Sequence, residues 1–239
     1  MKINAENLSF RELNEKIRAS KSRKIVIENM LGQRYTGSGC VGKDIEIYGI
    51  PGNALGAYLT ECDITVHGNA QDAVGDAMND GTITVHGSVG DAAGYGMRDG
   101  KILVKGSAGY RAGIHMKEYM EKKPVMVIGG KTGDFLAEYQ AGGCIIVLGI
   151  GHENECPVGD FCCTGMHGGV MFIRTEHKPE LPPQVLCTDA DRDDIRAIKS
   201  DVELFAKKFG FDAGELLDTH FFKLTPNTSN PYRRLYVNN

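Results

Sequence analysis

The stretch ITVHGNAQDAVGDAMNDGTITVHGSVGDAAGYGMRDGKILVKG, residues 64–106, contains one short pattern three times. A five-residue segment in which apolar and polar residues alternate ends in a glycine. Such segments stand at 64–68, 83–87 and 102–106, and related ones at 25–29, 45–49, 125–129, 145–149 and 171–175. Successive starts are mostly 19 or 20 residues apart. Self-similarity at a near-fixed period indicates an architecture of stacked repeats.

The length of the repeat limits what it can contain. A strand, a crossover helix and their loops need about 30 residues, which is more than one period. One repeat is long enough for a single coil of a parallel solenoid, in which each strand pairs with its copy in the next coil. The sequence therefore predicts an all-β solenoid of about seven coils, with helices flanking it at both ends.

Glycines recur at the ends of the predicted strands and in the turns that follow. The chain has 31 glycines in 239 residues, well above the usual level of roughly 7%. Glycine suits corners that need a positive φ or a close backbone approach. The predicted corner glycines are Gly49, Gly52, Gly56, Gly68, Gly75, Gly87, Gly90, Gly94, Gly106, Gly109, Gly113, Gly130 and Gly133.

The alternation also predicts which side chains point away from the solenoid core. Outward positions are polar in the early repeats, as at Thr65 and His67, and become apolar in the later ones. The predicted apolar outer face is a candidate interface made of Leu103, Met126, Ile128, Ile146, Leu148 and Phe172. Either a helix of this chain or a partner subunit covers such a face, because large apolar patches are rarely left exposed.

Two helices flank the repeats. Ser9 and Glu12 form a capping box before a helix over 9–20. A second helix over 190–209 carries an apolar stripe and stops at Gly210. We therefore divide the chain into an N-terminal helical cap (1–24), a repeat region (25–175) and a C-terminal helix with an extended tail that packs on the repeats (176–239).

Composition excludes several classes of protein. The formal net charge is −4, which argues against nucleic acid or an anionic membrane as the main partner. The N-terminus shows no signal peptide, and no stretch approaches the roughly 18 apolar residues of a membrane helix. Seven cysteines form no regular framework, which fits a reducing compartment. We expect a cytoplasmic protein that is free to form homo-oligomers.

No catalytic, cofactor-binding or metal site emerges from the residues. The glycine-rich loops lack the GK[ST] of a phosphate loop, and His67 and His86 alone make a poor metal site. The cysteines between Cys144 and Cys163 contain no CxxC, so we favour buried fillers over a zinc or iron–sulfur site. Arg111 stands where neighbouring repeats carry alanine, which favours an ion-pair or edge role. These residues predict a scaffold or interaction protein.

Several blocks together resemble the GXGXG family, the C-terminal domain of the glutamate synthase large subunit, here as a stand-alone chain. The blocks are GIPGNALG (49–56), GNAQDAVGDAMNDG (68–81), GSVGDAAG (87–94), GSAGYRAG (106–113), GYRAGIHMKEY (109–119), GGKTGDFLAEYQAGG (129–143), TGMHGGVMFIR (164–174) and SNPYRRLY (229–236). Gln71 and Ala137 each replace one glycine of the pattern. The resemblance implies a right-handed parallel β-helix with a structural role.

The resemblance also implies partners. In a glutamate synthase-like complex, the glutaminase (amidotransferase) and the FMN-binding synthase are separate parts, and FMN and an iron–sulfur cluster belong to the partners rather than to this chain. The first hypothesis is therefore a non-catalytic scaffold subunit of such a complex. The second is the equivalent subunit of a formylmethanofuran dehydrogenase or formyltransferase/hydrolase complex. The third is an independent β-helix enzyme, although 19-residue steps do not fit the 18-residue coils of hexapeptide acyltransferases.

Overall fold

The computed structural model describes residues 1–227, and these contain eleven strands and three helices. In chain order they are β1 (Lys2–Asn4), α1 (Phe10–Ala19), β2 (Lys24–Leu31), β3 (Asp44–Ile50), β4 (Asp63–Val66), β5 (Thr82–Val85), β6 (Lys101–Val104), β7 (Val125–Ile128), β8 (Ala141–Val147), β9 (Gly168–Arg174), β10 (Val185–Asp189), α2 (Arg192–Phe209), α3 (Ala213–Leu217) and β11 (Phe221–Pro226). Each predicted repeat strand is therefore present.

The prediction of an all-β solenoid, a right-handed parallel β-helix of about seven coils, is wrong. The described strands form one open sheet of eleven strands in the order β1-β2-β3-β4-β5-β6-β7-β8-β9-β11-β10. Strands β1 to β9 pair in parallel, whereas β11 pairs antiparallel with both β9 and β10. The physical reason is that each repeat supplies only one regular strand. The rest of each repeat is turn, with isolated single bridges such as Ala70↔Val89 and Val89↔Ala108.

The parallel strands keep one register, so equivalent side chains form a continuous ladder. Ile45 pairs with Ile64, Ile64 with Ile83, and Ile83 with Ile102. The same row continues through Met126, Ile145 and Met171. All of these side chains are fully buried in one apolar cluster, which we call the inner core. Burying branched side chains in register is the main apolar contribution that a sheet of this kind offers.

The turns between the strands stack on one another with the same period. Gly75 N donates to Leu55 O, Gly94 N to Val74 O and Gly113 N to Ala93 O, each at 2.7–2.8 Å. Within each turn, three residues at alternate positions have a positive φ, as Ala92, Gly94 and Gly96 do. Each turn therefore repeats the shape of the one before it, and the backbone polar groups find partners in the adjacent repeat.

Both flanking helices are confirmed. At α1, the Ser9 side chain accepts from Glu12 N and the Glu12 carboxylate accepts from Ser9 N, which completes the capping box. At α2, Asp191 caps the N-terminus and Gly210 ends the helix at a φ of +79°. The predicted extended tail begins with β11, and its part beyond residue 227 lies outside the described residues.

Candidate functional site

The structure separates the thirteen corner glycines into two groups. Five have a positive φ: Gly49, Gly56, Gly75, Gly94 and Gly113. The other eight do not. At each of those eight, a Cβ would lie within 3.2 Å of an atom of the preceding repeat: Gly52, Gly68, Gly87, Gly90, Gly106, Gly109, Gly130 and Gly133. In the first group a left-handed backbone is combined with a Cβ position that lies within 2.7 Å of a neighbouring atom, whereas the second group is governed by the closeness of adjacent repeats alone.

Sequence reasoning missed how often residues other than glycine take the positive φ. Ala137 and Cys163 continue the row of Gly94 and Gly113 with φ values of 58° and 61°. The first residue of each turn is never glycine, and its φ is +55° to +61° throughout: Tyr35, Ala54, Ala73, Ala92, Arg111, Phe135 and Phe161. Left-handed backbone costs such a residue roughly 1–2 kcal/mol. Stacking on the adjacent turn therefore overrides the local preference.

The apolar outer face lies under helix α2. Leu103, Ile146, Leu148 and Phe172 belong to a second buried cluster, which also contains Phe205 and other residues of α2. Within this chain the helix covers the face, so these side chains are not available to a partner subunit.

Two of the six predicted interface residues point into the inner core rather than toward α2. Met126 and Ile128 lie in the inner core, while Val125 and Val127 occupy the outer face. The prediction aligned the segment on Gly129, but the structure pairs Lys101 with Val125, which moves every residue by one position. A shift of one residue exchanges the two faces of a strand. The tandem glycines at 129–130 are the source of the error, because Gly130 rather than Gly129 is the counterpart of Gly106.

A group of aromatic side chains lies at the surface of the later turns. The Arg111 guanidinium lies 4.7 Å from the centre of the Phe135 ring, and Phe135 stacks on Phe161 at 4.9 Å. Arg111 Nε also donates to Glu138 Oε2 at 3.0 Å, which agrees with the ion-pair role expected for it. Phe161 is 60% exposed. We call Arg111, Phe135, Glu138 and Phe161 the aromatic turn surface.

A second ring stack borders the outer face of the sheet. Tyr48 stacks on His67 at 4.3 Å, His67 on His86 at 5.2 Å, and His86 meets the edge of Phe209 at 5.1 Å. His67 Nε2 lies 3.6 Å from Glu46 Oε2. Burial, with His67 and nearby lysines adding positive charge, lowers the pKa of His86. The two imidazoles thus serve ring packing that joins α2 to the sheet.

All seven cysteines lie within residues 1–227, where they are buried or half-buried and none is paired in a disulfide. Cys162 Sγ lies 3.7 Å from Cys163 Sγ, and both lie about 4 Å from Met171 Sδ in the inner core. Burial raises the pKa of Cys144 to about 12. The interaction between the Cys40 and Cys62 thiols lowers the pKa of Cys40 and raises that of Cys62, and burial adds to the rise at Cys62.

Within residues 1–227, no group of three or more histidine, cysteine or acidic side chains is arranged to hold a metal ion. In the same range, no helix combines the length and apolarity that crossing a bilayer requires.

Comparison with known proteins assigns the family. A protein of Methanocaldococcus jannaschii described as uncharacterized is 44% identical over 249 residues, covering 98% of this chain and 95% of that protein. A chain in the crystal structure of the formyltransferase/hydrolase complex from Methylorubrum extorquens, solved with methylofuran, has a similar fold. The TM-score is 0.65 at 21% identity, covering 92% of this chain and 88% of the other. Residues 8–227 match the family described as "GXGXG motif", and the chain belongs to this GXGXG family.

Proposed function

We propose that this chain is a non-catalytic subunit that assembles with catalytic partner subunits. The observation that carries the proposal is the extent of the structural similarity to one chain of the formyltransferase/hydrolase complex, 92% of this chain and 88% of the other. Most of this chain thus corresponds to most of one chain of that complex. In the proposal the repeats supply a rigid support, and the partners supply the chemistry.

The favoured assembly is one that transfers or hydrolyses formyl groups. Its support is the shared fold. At 21% identity this similarity supports a common architecture but assigns no role to individual residues. The proposal assigns no reacting group to this chain.

A second candidate is a glutamate synthase-type assembly, in which a glutaminase and an FMN-binding synthase would be the partners. Its support is the set of sequence blocks, GYRAGIHMKEY (109–119) above all, together with the family match. Here FMN and an iron–sulfur cluster would reside in the partner subunits.

The aromatic turn surface is the contact region that we assign to the partner. Aromatic and arginine side chains are enriched where protein interfaces are strongest. Phe161 and Arg111 are exposed, whereas the apolar outer face is already covered by α2. The surface also has a defined shape, because Arg111 is held by both the Phe135 ring and Glu138.

The test is copurification from cells that express this chain with either set of partner subunits, followed by size-exclusion chromatography. We expect a stable complex with the formyl-transfer subunits, and loss of it in the double variant Arg111→Ala/Phe161→Ala. Tyr58→Ala is the matched control, because Tyr58 is also an exposed aromatic residue at a positive φ on a turn. A complex with the glutaminase and FMN-binding subunits would select the second candidate, and the absence of both complexes would refute the assembly role.

A further inference from the structure

The repeat between β6 and β7 is longer than the period, and its extra residues build a small hairpin. Thr82 pairs with Lys101 nineteen positions later, but Lys101 pairs with Val125, which is five positions further than the period requires. In the added segment, Tyr119 N donates to Lys122 O at 3.0 Å and Lys122 N donates to Tyr119 O at 3.1 Å. Insertions in repeat proteins map to loops on one face, which is often the face that binds.

The hairpin borders an open pocket against the stacked turns. The pocket has a volume of about 320 Å³ and is lined by Asn79, Arg98, Lys117, Glu118, Tyr119 and Lys122. Asn79, Arg98 and Lys117 occupy the same position in three successive repeats, since Arg98 N donates to Met78 O and Lys117 N to Met97 O. The repeat register thus stacks two cations, and the hairpin adds a third.

Arg98 is fixed in place within this pocket. Its Nη1 donates to Asn79 Oδ1 at 3.1 Å and to Ala77 O at 3.4 Å. The side chain is half-buried, so the guanidinium is oriented before any ligand arrives. A preoriented planar donor group matches the paired oxygens of carboxylate and phosphate.

The three cations make no close salt bridge in the described part of the chain. Arg98, Lys117 and Lys122 form no ion pair within residues 1–227, although eleven ion pairs occur there. Glu118, the one acidic lining residue, accepts a hydrogen bond from Gly143 N at 3.0 Å. Asp76 lies close enough to Arg98 for their charges to interact. With three cations and one carboxylate in its lining, the pocket still has an excess of positive charge.

We infer that this pocket binds a small, multiply charged oxyanion, either a phosphate ester or a dicarboxylate. The volume lies at the lower end of the range for small-ligand sites, and the lining offers two ammonium groups and one guanidinium. This inference does not rest on the assembly proposed above, because every group that lines the pocket belongs to this chain.

The experiment is isothermal titration of the full chain with pyrophosphate and, separately, with succinate, at low ionic strength. We expect saturable binding of at least one probe, and the tighter one identifies the oxyanion chemistry. Lys122→Gln and Arg98→Gln should each weaken that binding about tenfold, the usual loss for removing one charged partner. Lys122→Arg should retain it. Lys21→Gln, at an exposed lysine outside the pocket, should leave it unchanged.

A thermal melt of every variant shows whether it is folded, and Lys122→Gln keeps the test decisive if Arg98→Gln is unstable. Added salt should weaken binding, because screening acts strongly on exposed charges. Absence of saturable binding by both probes would overturn the inference. Equal weakening by Lys21→Gln and Lys122→Gln would also overturn it, because it would show attraction to overall charge rather than to the pocket.

Discussion

The turns require glycine for two reasons, a positive φ and the closeness of neighbouring atoms, and alanine substitutions at Gly113 and Gly96 separate these two reasons. Gly113 has a φ of +70°, and a Cβ there would lie less than 3.0 Å from the Cδ1 of Ile145, which is fully buried. Gly96 has a φ of +56° with nothing within 4 Å of the added atom. Gly96→Ala thus measures backbone strain alone, and Gly113→Ala measures strain together with crowding of the inner core.

The expected magnitudes follow from these two demands. Left-handed backbone costs alanine about 1–2 kcal/mol, part of which is offset because alanine lowers the entropy of the unfolded chain. Gly96→Ala should therefore lower the free energy of unfolding by about 1 kcal/mol. Overpacking adds about 1–3 kcal/mol, so Gly113→Ala should lower it by about 2–4 kcal/mol. Ala137 takes the same conformation at a φ of 58°, so crowding of the core should account for the difference between Gly96→Ala and Gly113→Ala.

A double-mutant cycle tests whether the Ile145 methyl is the cause. Ile145→Val removes the Cδ1 atom and alone should cost about 0.5–1.5 kcal/mol. The double variant Gly113→Ala/Ile145→Val should lose less free energy of unfolding than the sum of the two single losses. The difference should be about 1 kcal/mol or more, since the valine makes room for the added Cβ. Urea unfolding gives all four free energies. Strict additivity, or equal losses for Gly96→Ala and Gly113→Ala, would refute the reasoning.

Three further predictions concern other parts of the chain. Phe205→Ala should lower the free energy of unfolding by about 3–5 kcal/mol, because Phe205 is fully buried between α2 and the outer face; chemical denaturation checks this, with the exposed Lys207→Ala as control. A hydrogen bond to Thr175 O raises the pKa of His220, so its contribution to stability is complete below pH ~6.5 and is lost as pH rises through the raised pKa. The free energies of unfolding of the wild type and of His220→Gln, measured across pH 5–9, should therefore converge at high pH. A difference that stays constant with pH would contradict this prediction. Gln140→Met should lower the free energy of unfolding by about 1–3 kcal/mol, because the Gln140 amide donates to the carbonyls of residues 142 and 143. Thermal melting of the variant and the wild type checks this.

Local patterns in the sequence were sufficient to place the strands and both flanking helices. The repeat strands were read from alternation, and the capping box at Ser9 and Glu12 marked the start of α1. These features could be predicted because each depends on residues that are close together in the chain. The overall architecture could not, because it depends on how many regular strands each repeat contributes and how the chain ends pair.

The end of the sheet illustrates this limit. Adjacent strands in sequence usually lie side by side, which would place β10 next to β9. Instead β11 lies between them, with Phe222 opposite Ile173 on one side and Asp189 on the other. This arrangement depends on antiparallel pairing between segments about 50 residues apart, for which the residues alone give no signal.

The register of β7 was in fact available from the sequence. Gly106 and Gly109 have counterparts at Gly130 and Gly133, both named as corner glycines, and this spacing requires Lys101 to pair with Val125. Aligning the strand on Gly129 contradicted the glycine spacing and exchanged Met126 and Ile128 with their neighbours. The spacing of the paired glycines is therefore a better guide to register than the apolar residues, because four successive apolar residues fit either face.

Gln140 shows a different limit. It stands in a row of buried side chains that are otherwise mostly methionine, at Met78, Met97, Met116 and Met166. The register of β8 and β9 shifts between Ala141 and Cys144, and the amide of Gln140 bonds the carbonyls that this irregularity leaves without strand partners. A polar residue in an apolar row was the sequence signal for the bulge.

The distribution of variable side chains over the repeat supports the choice of contact surface. Inner-core positions are occupied almost entirely by apolar residues, and the outer face of the later repeats is constrained by α2. The first turn position has no such constraint: its backbone takes a φ near +56° whether the residue is Ala73, Ala92, Arg111 or Phe135. The strain there is similar for alanine, arginine and phenylalanine, since all three carry a Cβ. The change from alanine to arginine and phenylalanine therefore leaves the backbone strain unchanged. It adds ring contacts between adjacent turns and places large, oriented side chains at the surface.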